Sequence, residues 1–339
     1  MTTTRDVAPY DIDGARHRFV EANGVRLSVY EAGQSSDPTV VLSHGFPELA
    51  YSWRHQLPAL AAGGFHAVAP DQRGYGGSGR PEVVEDYDIV QLTGDLVAIL
   101  DELDIERAVF VGHDWGGFVV WQMPFLHPGR VAGVVGVNTP HTARFPVKPV
   151  EMFRNLLGEN FYIVWFQNPD EPEAMLDAHV EVVLDHMLRR GIDPTAIRER
   201  AASSNRTFVE AVVDVPPELL GPPLLTAEQL AIYTGAFRAG GFRGPVNWYR
   251  NFDRNWELTS DQTSGRIDDV PCLMVTAEWD PVLPPALAAG MPDLIGDLEI
   301  HEIARCGHWT QQEHPDQFNR ILIDWLERKG VLAGGTSQI

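Results

Sequence analysis

Cysteine is almost missing from this chain, with only Cys272 and Cys306 among 339 residues. One lies in a strand-like run and the other beside a histidine, so a structural disulfide is not expected. A reducing, cytoplasmic setting is the default. Basic residues are also scarce, with 26 Lys and Arg against 47 Asp and Glu, for a formal charge of −21. That deficit argues against nucleic acid or an anionic membrane as a partner and leaves a soluble acidic surface. No apolar run approaches the ~20 residues of a membrane span, and Met1-Thr2-Thr3-Thr4-Arg5-Asp6 lacks the apolar core of a signal peptide. Internal repeats and low-complexity segments are lacking as well. What is present is 44% hydrophobic residues, enough for a sizeable core.

The chain alternates strand and helix signals. His17 to Val20 and Val25 to Tyr30 flank Ala22-Asn23-Gly24 as a hairpin. Thr39 to Leu42, His66 to Ala69, Ala108 to Val111 and Val131 to Val137 read as buried strands. Between them, Ser52 to Ala62 and Asp88 to Leu103 have helical character, the latter with Leu92, Leu96, Ile99, Leu100 and Leu103 on one side. Such a β-α-β succession implies a mostly parallel sheet with helices on both faces. From about Thr139 the strand signal stops. Glu171 to Leu188, Pro194 to Ala202, Thr226 to Phe237 and Pro245 to Asn255 read as helices, before strands resume at Cys272 to Thr276 and Leu298 to Ile303 and a helix closes over Pro315 to Arg328. The expected organisation is an α/β core over 1–140 and 256–339, with an inserted all-helical module over 141–255.

Chemistry concentrates at Gly112-His113-Asp114-Trp115-Gly116-Gly117, between a strand and an apolar helix start. Small residues two before and two after a central residue permit a sharp strand-to-helix turn that lifts the central side chain above the sheet. Here that side chain is Asp114, where the commoner nucleophile elbow has Ser. A carboxylate is ionised at neutral pH and attacks without a base. At an acyl carbon it would form an anhydride; at a saturated carbon bearing a leaving group it forms an ordinary ester. Displacement at carbon followed by ester hydrolysis is therefore expected. The plain alternative is an Asp that caps the following helix.

His44-Gly45-Phe46-Pro47 ends the third strand, where a backbone N–H could face the elbow. The proposed oxyanion donors are the N–H groups of Phe46 and Trp115, each typically worth ~3 kcal/mol to a tetrahedral intermediate. Of twelve histidines, His308 follows the last strand and precedes the last helix, and Asp280 follows the preceding strand. Asn138, at the other strand end from which an acid could reach, is not a carboxylate. His308 would take a proton from water, with Asp280 fixing its tautomer. Gly74-Tyr75-Gly76-Gly77-Ser78-Gly79 satisfies a dinucleotide-loop pattern, but Arg80-Pro81-Glu82 follows in place of a helix start. His301, Glu302, Cys306 and His308 match no common zinc spacing. No metal and no cofactor are expected.

Taken together, these motifs and Ser52-Trp53-Arg54, Asn138-Thr139-Pro140, Gly241-Phe242-Arg243-Gly244-Pro245, Asn247-Trp248-Tyr249-Arg250-Asn251, Thr276-Ala277-Glu278 and Cys306-Gly307-His308-Trp309-Thr310-Gln311 make the chain resemble the epoxide hydrolases of the α/β-hydrolase superfamily, from about Phe19 to Leu326. The resemblance implies an α/β-hydrolase fold with a helical lid over the site. It also implies two lid tyrosines that bind the epoxide oxygen, by position Tyr162 and Tyr249, with Tyr233 as the competitor for the second. A ring-opened alkoxide needs a proton donor, and a phenol of pKa about 10 remains protonated at neutral pH. Phe46, Trp115, Trp165 and Phe166 are the expected substrate contacts. A phosphatase-like N-terminal unit, and the second activity of bifunctional relatives, are not expected. Partners would be a small epoxide and water, with the chain a monomer or homodimer. A dehalogenase would share the Asp nucleophile but need halide-binding N–H donors in place of phenols; a non-catalytic hydrolase-fold protein would have no use for an intact Asp114, Asp280 and His308.

Overall fold

The computed structural model describes residues 7–193, 208–216 and 219–330. Eight strands form one sheet: β1 (Arg16–Ala22), β2 (Val25–Ala32), β3 (Thr39–Ser43), β4 (His66–Asp71), β5 (Ala108–His113), β6 (Val131–Val137), β7 (Cys272–Ala277) and β8 (Leu298–Ile303). Their order is β1-β2-β4-β3-β5-β6-β7-β8. Only β2 runs against the rest, pairing antiparallel with β1 and β4. Ala22 faces Val25, so Asn23-Gly24 is a two-residue hairpin turn. Strands β3, β5, β6 and β7 are buried at every position. That is the signature of parallel strands covered on both faces, and it explains their unbroken apolar runs.

The covering helices are α1 (Gln56–Ala62), α2 (Ile89–Glu102), α3 (Trp115–Leu126) and a C-terminal helix, Pro315–Lys329. Helix α2 begins where Asp88 accepts the Val90 and Gln91 N–H groups, and it buries Leu92, Leu96, Ile99 and Leu100. Each such side chain contributes about 1.5–3 kcal/mol on burial, well above the tenths that separate helix propensities, so packing holds this helix. In the C-terminal helix Phe318, Leu322, Trp325 and Leu326 do the same.

Every helix or strand described between β6 and β7 is helical. The expected helix over 194–202 lies outside the described residues. Two expected helices are each divided in two. Glu171 to Leu188 becomes Glu171–Ala178 and Val180–Met187, and Pro245 to Asn255 becomes Arg243–Arg250 and Phe252–Leu258. The cause is the same in both. At each break a side chain takes the carbonyl four residues back that the helix ladder would have used: His179 Nδ1 donates to Met175 O at 2.9 Å, and Asn251 Nδ2 donates to Asn247 O at 2.9 Å. Thr226 and Gln229 cap the helix Ala227–Gly240 reciprocally. Ser52 to Ala62 likewise divides, into a 3-10 turn over Ala50–Trp53 and α1.

The glycine-rich loop after β4 has a structural use. A Cβ on Gly74 would lie 3.1 Å from the Gly244 backbone, and one on Gly244 would lie 2.8 Å from Gly74 Cα. Two backbones meet here without side chains between them, seating helix Arg243–Arg250 directly on the core loop. Trp248 Nε1 donates to Arg73 O at 3.0 Å beside that contact.

Candidate active site

Asp114, His308 and Asp280 come from the C-terminal ends of β5, β8 and β7, on one edge of the sheet. Asp114 occupies φ 50°, ψ −119°, an unfavourable region for a residue with a Cβ. The turn is tight enough that a Cβ on Gly112 would fall 2.1 Å from Gly116 O, and one on Gly116 would fall 2.0 Å from Ser43 O. Only glycine fits at either place. The Asp114 carboxylate makes no capping bond to its own helix, unlike the capping use of Asp. Its Oδ1 instead accepts the Phe46 N–H at 2.8 Å. Trp115 is the first residue of α3, where an amide has no partner within the helix.

His308 Nε2 lies 3.6 Å from Asp114 Oδ2, and its Nδ1 donates to Asp280 Oδ2 at 2.9 Å. Asp280 Oδ1 accepts the Val282 and Leu283 N–H groups at 2.8 and 3.0 Å. Burial alone would raise the Asp280 pKa, but the His308 charge and these hydrogen bonds outweigh it and bring the carboxyl down to about 2. Burial would likewise lower His308, yet the charges of Asp280 and Asp114 and their hydrogen bonds hold the imidazole well above its usual range. His308 thus sits between two acidic side chains that both favour its charged form.

Tyr162 and Tyr249 line the same cavity as Asp114, His308 and Phe46, a space of about 370 Å³. Their ring centroids are 5.7 Å apart. Burial first, then the Asp114 charge, raises both phenol pKa values, so both stay protonated. Tyr233 packs on Tyr51 and is not among the described lining residues. Trp115 lines a second, smaller cavity of about 140 Å³, along with Phe118 and Phe252. Trp165 and Phe166 are not among the described residues lining either cavity; Phe166 packs behind Tyr249 at 4.8 Å between centroids. Of the expected substrate contacts, Phe46 alone lines the cavity that holds Asp114.

Three residues with clear roles in holding the site escape the sequence reading. Asn138, dismissed for lacking a carboxylate, donates Nδ2 to Asp280 Oδ2 at 2.7 Å. Glu48 is wholly buried and accepts from Gly45 N at 2.9 Å, His113 Nδ1 at 2.6 Å, Gln311 Nε2 at 3.0 Å and Gln312 Nε2 at 2.9 Å. Burial pushes its pKa up, but the His113 charge and these bonds hold it below the usual carboxylate range. His113 Nε2 in turn donates to His308 O at 2.7 Å. The pair ties the Phe46 loop to the His308 loop. The one signal in the sequence is position, since Glu48 directly follows Pro47 and His113 directly precedes Asp114. His44 is buried, which lowers its pKa; its Nδ1 donates to Gly45 O and its Nε2 accepts from Gln72 N, so it is structural.

No helix among the described residues is long and apolar enough to cross a membrane. Residues 38–173 match the family model described as the alpha/beta hydrolase fold. The chain is 46% identical over 312 residues to Epoxide hydrolase A of Mycobacterium tuberculosis, covering 91% of this chain and 96% of that one. It is 42% identical to the Bifunctional epoxide hydrolase 2 of Sus scrofa over 90% of this chain, which spans 54% of that relative. The crystal structure of Epoxide Hydrolase A from Mycobacterium thermoresistibile superposes with a TM-score of 0.85 at 44% identity, covering 92% of this chain and 98% of that one.

Proposed function

Because the chain belongs to the epoxide hydrolases of the α/β-hydrolase fold, we propose that it opens an epoxide to a vicinal diol in two steps through an ester on Asp114. The observation that carries the mechanism is the carboxylate on a strained elbow, with the Phe46 N–H on one oxygen and His308 Nε2 at 3.6 Å from the other. In the first step an Asp114 oxygen attacks an epoxide carbon, the ring C–O bond breaks, and the alkoxide takes a proton from Tyr162 or Tyr249. The phenolate is restored by the proton that His308 gives up.

Charge orders the two steps. Forming the ester removes one of the two carboxylates that hold His308 protonated, so the imidazole becomes a base only once there is an ester to hydrolyse. It then takes a proton from water, which attacks the ester carbonyl carbon. The Phe46 and Trp115 N–H groups hold the oxyanion. Collapse breaks the acyl C–O bond, the departing alkoxide takes the remaining proton of the attacking water, and the diol leaves with Asp114 ionised and holding one oxygen from water. Asp280, held by Asn138 and two backbone N–H groups, orients His308 throughout.

In this reading residues 141–255 act as a lid on the core formed by 1–140 and 256–339. The enzyme works in the cytoplasm as a monomer or homodimer on a small epoxide, with water as co-substrate and without a cofactor. Two buried phenols beside the nucleophile support an epoxide over a haloalkane. Turnover of a panel of epoxides and haloalkanes tests this, with diol and no halide expected. One turnover in heavy-oxygen water should leave one labelled oxygen in the Asp114 carboxylate; label found only in the diol would mean direct attack by water.

A further inference from the structure

The two phenols sit on separate pieces of the helical module, and their separation has to be fixed by something. Tyr249 is tied to the core through Trp248 Nε1 to Arg73 O, through Asn251 Nδ2 to Val84 O at 2.6 Å, and through the Gly74–Gly244 seat. Tyr162 opens a helix of only four residues, Tyr162–Trp165, too short to hold its own shape. Arg250, next to Tyr249 in the chain, spans the gap. Its Nε donates to Phe166 O at 3.1 Å, and its Nη2 donates to Asn168 O at 2.6 Å and Glu173 Oε2 at 2.7 Å. Nη1 donates to Glu173 Oε1 and Asn247 Oδ1, both at 2.9 Å.

Phe166, the C-cap of the short helix, presents a carbonyl left over at its end, where a cation is favoured, and Asn168 presents one from the turn that follows. The Phe166 N–H also donates to Tyr162 O at 2.8 Å, so the turn that Arg250 holds is the turn that carries Tyr162. Gln167 adds a second tie, with Nε2 donating to Tyr249 O at 3.0 Å and Ile163 O at 2.8 Å. The Arg250 and Glu173 side chains are only 11% and 9% exposed, so solvent screens the pair little. Arg250 is not among the described residues lining the cavity.

We propose that Arg250, held by Glu173, is the positioning residue that sets the Tyr162 phenol against Tyr249 for ring opening. This rests on the reading of Tyr162 as a proton donor. Two carbonyls and both oxygens of a carboxylate need a planar fork; an ammonium in its place keeps the charge near Glu173 and loses the geometry. Arg250→Lys therefore separates position from charge, and Arg250→Gln removes both.

The test is single-turnover alkylation and ester hydrolysis for Arg250→Lys and Arg250→Gln, each made in the wild type and in Tyr162→Phe, with Tm recorded. Misplacing a reacting group by about 1 Å costs on the order of a hundred-fold, so alkylation should slow roughly ten-fold to a hundred-fold. Hydrolysis of the ester should be nearly unchanged, Arg250→Lys should keep a Tm near that of the wild type, and neither change should slow Tyr162→Phe further. Equal slowing of both half-reactions by Arg250→Lys, or the same factor lost again in Tyr162→Phe, overturns the proposal in favour of a purely structural ion pair. If Tyr162→Phe alone leaves ring opening intact, the donor assignment itself fails, a result obtained before Arg250 is changed.

Discussion

Replacing His308 by Gln should convert the enzyme into one that reacts once and stops. His308 Nδ1 lies 2.9 Å from Asp280 Oδ2 and its Nε2 3.6 Å from Asp114 Oδ2, so the nitrogen not bound to Asp280 faces the carboxylate that carries the ester in the proposed mechanism. Glutamine can keep a hydrogen bond to Asp280, but its amide cannot take a proton from water at neutral pH. A positioned general base contributes typically ~10²–10⁴-fold. At 1.36 kcal/mol per factor of ten, that is about 2.7–5.5 kcal/mol off the hydrolytic step. Alkylation asks only for an ionised Asp114 and a proton donor, and both remain. The prediction is that hydrolysis slows by about two to four orders of magnitude while ring opening slows far less. Rapid quenching and intact-protein mass spectrometry should show one added epoxide mass accumulating, and peptide mapping should place it on Asp114. Equal loss of both half-reactions, in a variant with wild-type circular dichroism and Tm, would refute the division of roles.

Tyr→Phe at 162 or 249 removes one proton donor; a charge-assisted hydrogen bond of about 1.5–3 kcal/mol makes ring opening roughly ten-fold to a hundred-fold slower, with Tyr233→Phe as the unaffected control. If Tyr233→Phe abolishes alkylation and Tyr249→Phe does not, the lid assignment is wrong. Asn138→Ala removes the 2.7 Å bond to Asp280 and should slow ester hydrolysis while leaving alkylation nearly intact, a split readable in burst kinetics. For pH, the charges of Asp280 and Asp114 raise the His308 pKa in the resting enzyme, and an ester on Asp114 would lack one of them. Ester hydrolysis should therefore be lost on acidification at a lower pH than that at which His308 titrates in the free enzyme by NMR; coincident midpoints would contradict the charge ordering. Gly116→Ala drives a Cβ to 2.0 Å from Ser43 O, so Tm should fall by an amount matching about 1–3 kcal/mol and ring opening should fail with it, whereas unchanged values would mean the elbow is more plastic than its contacts indicate.

The sheet and the sharp turn at Asp114 were legible because each rests largely on local pattern. Val131 to Val137 is read to the residue, since a central parallel strand is apolar at every position and needs no knowledge of its neighbours. The elbow is legible because its small residues flank the acid at a fixed spacing, although only Gly112 is forced by backbone within five residues; Gly116 is forced by the backbone of Ser43 and His44 on the neighbouring strand. The lid breaks at His179 and Asn251 were not legible: periodicity runs through both, and the interruption comes from a side chain reaching a carbonyl one turn back, which an apolar count does not register. Asn138 shows the deeper limit. Judged as a catalytic acid it is the wrong residue type, and by that test it was set aside. Its use lies in a partner 142 positions away, since an amide that donates to Asp280 Oδ2 leaves the negative charge on the oxygen that faces His308, where a second carboxylate would compete for it. At that strand end a neutral donor serves the site better than an acid, and only the fold brings the two residues close enough for the preference to exist.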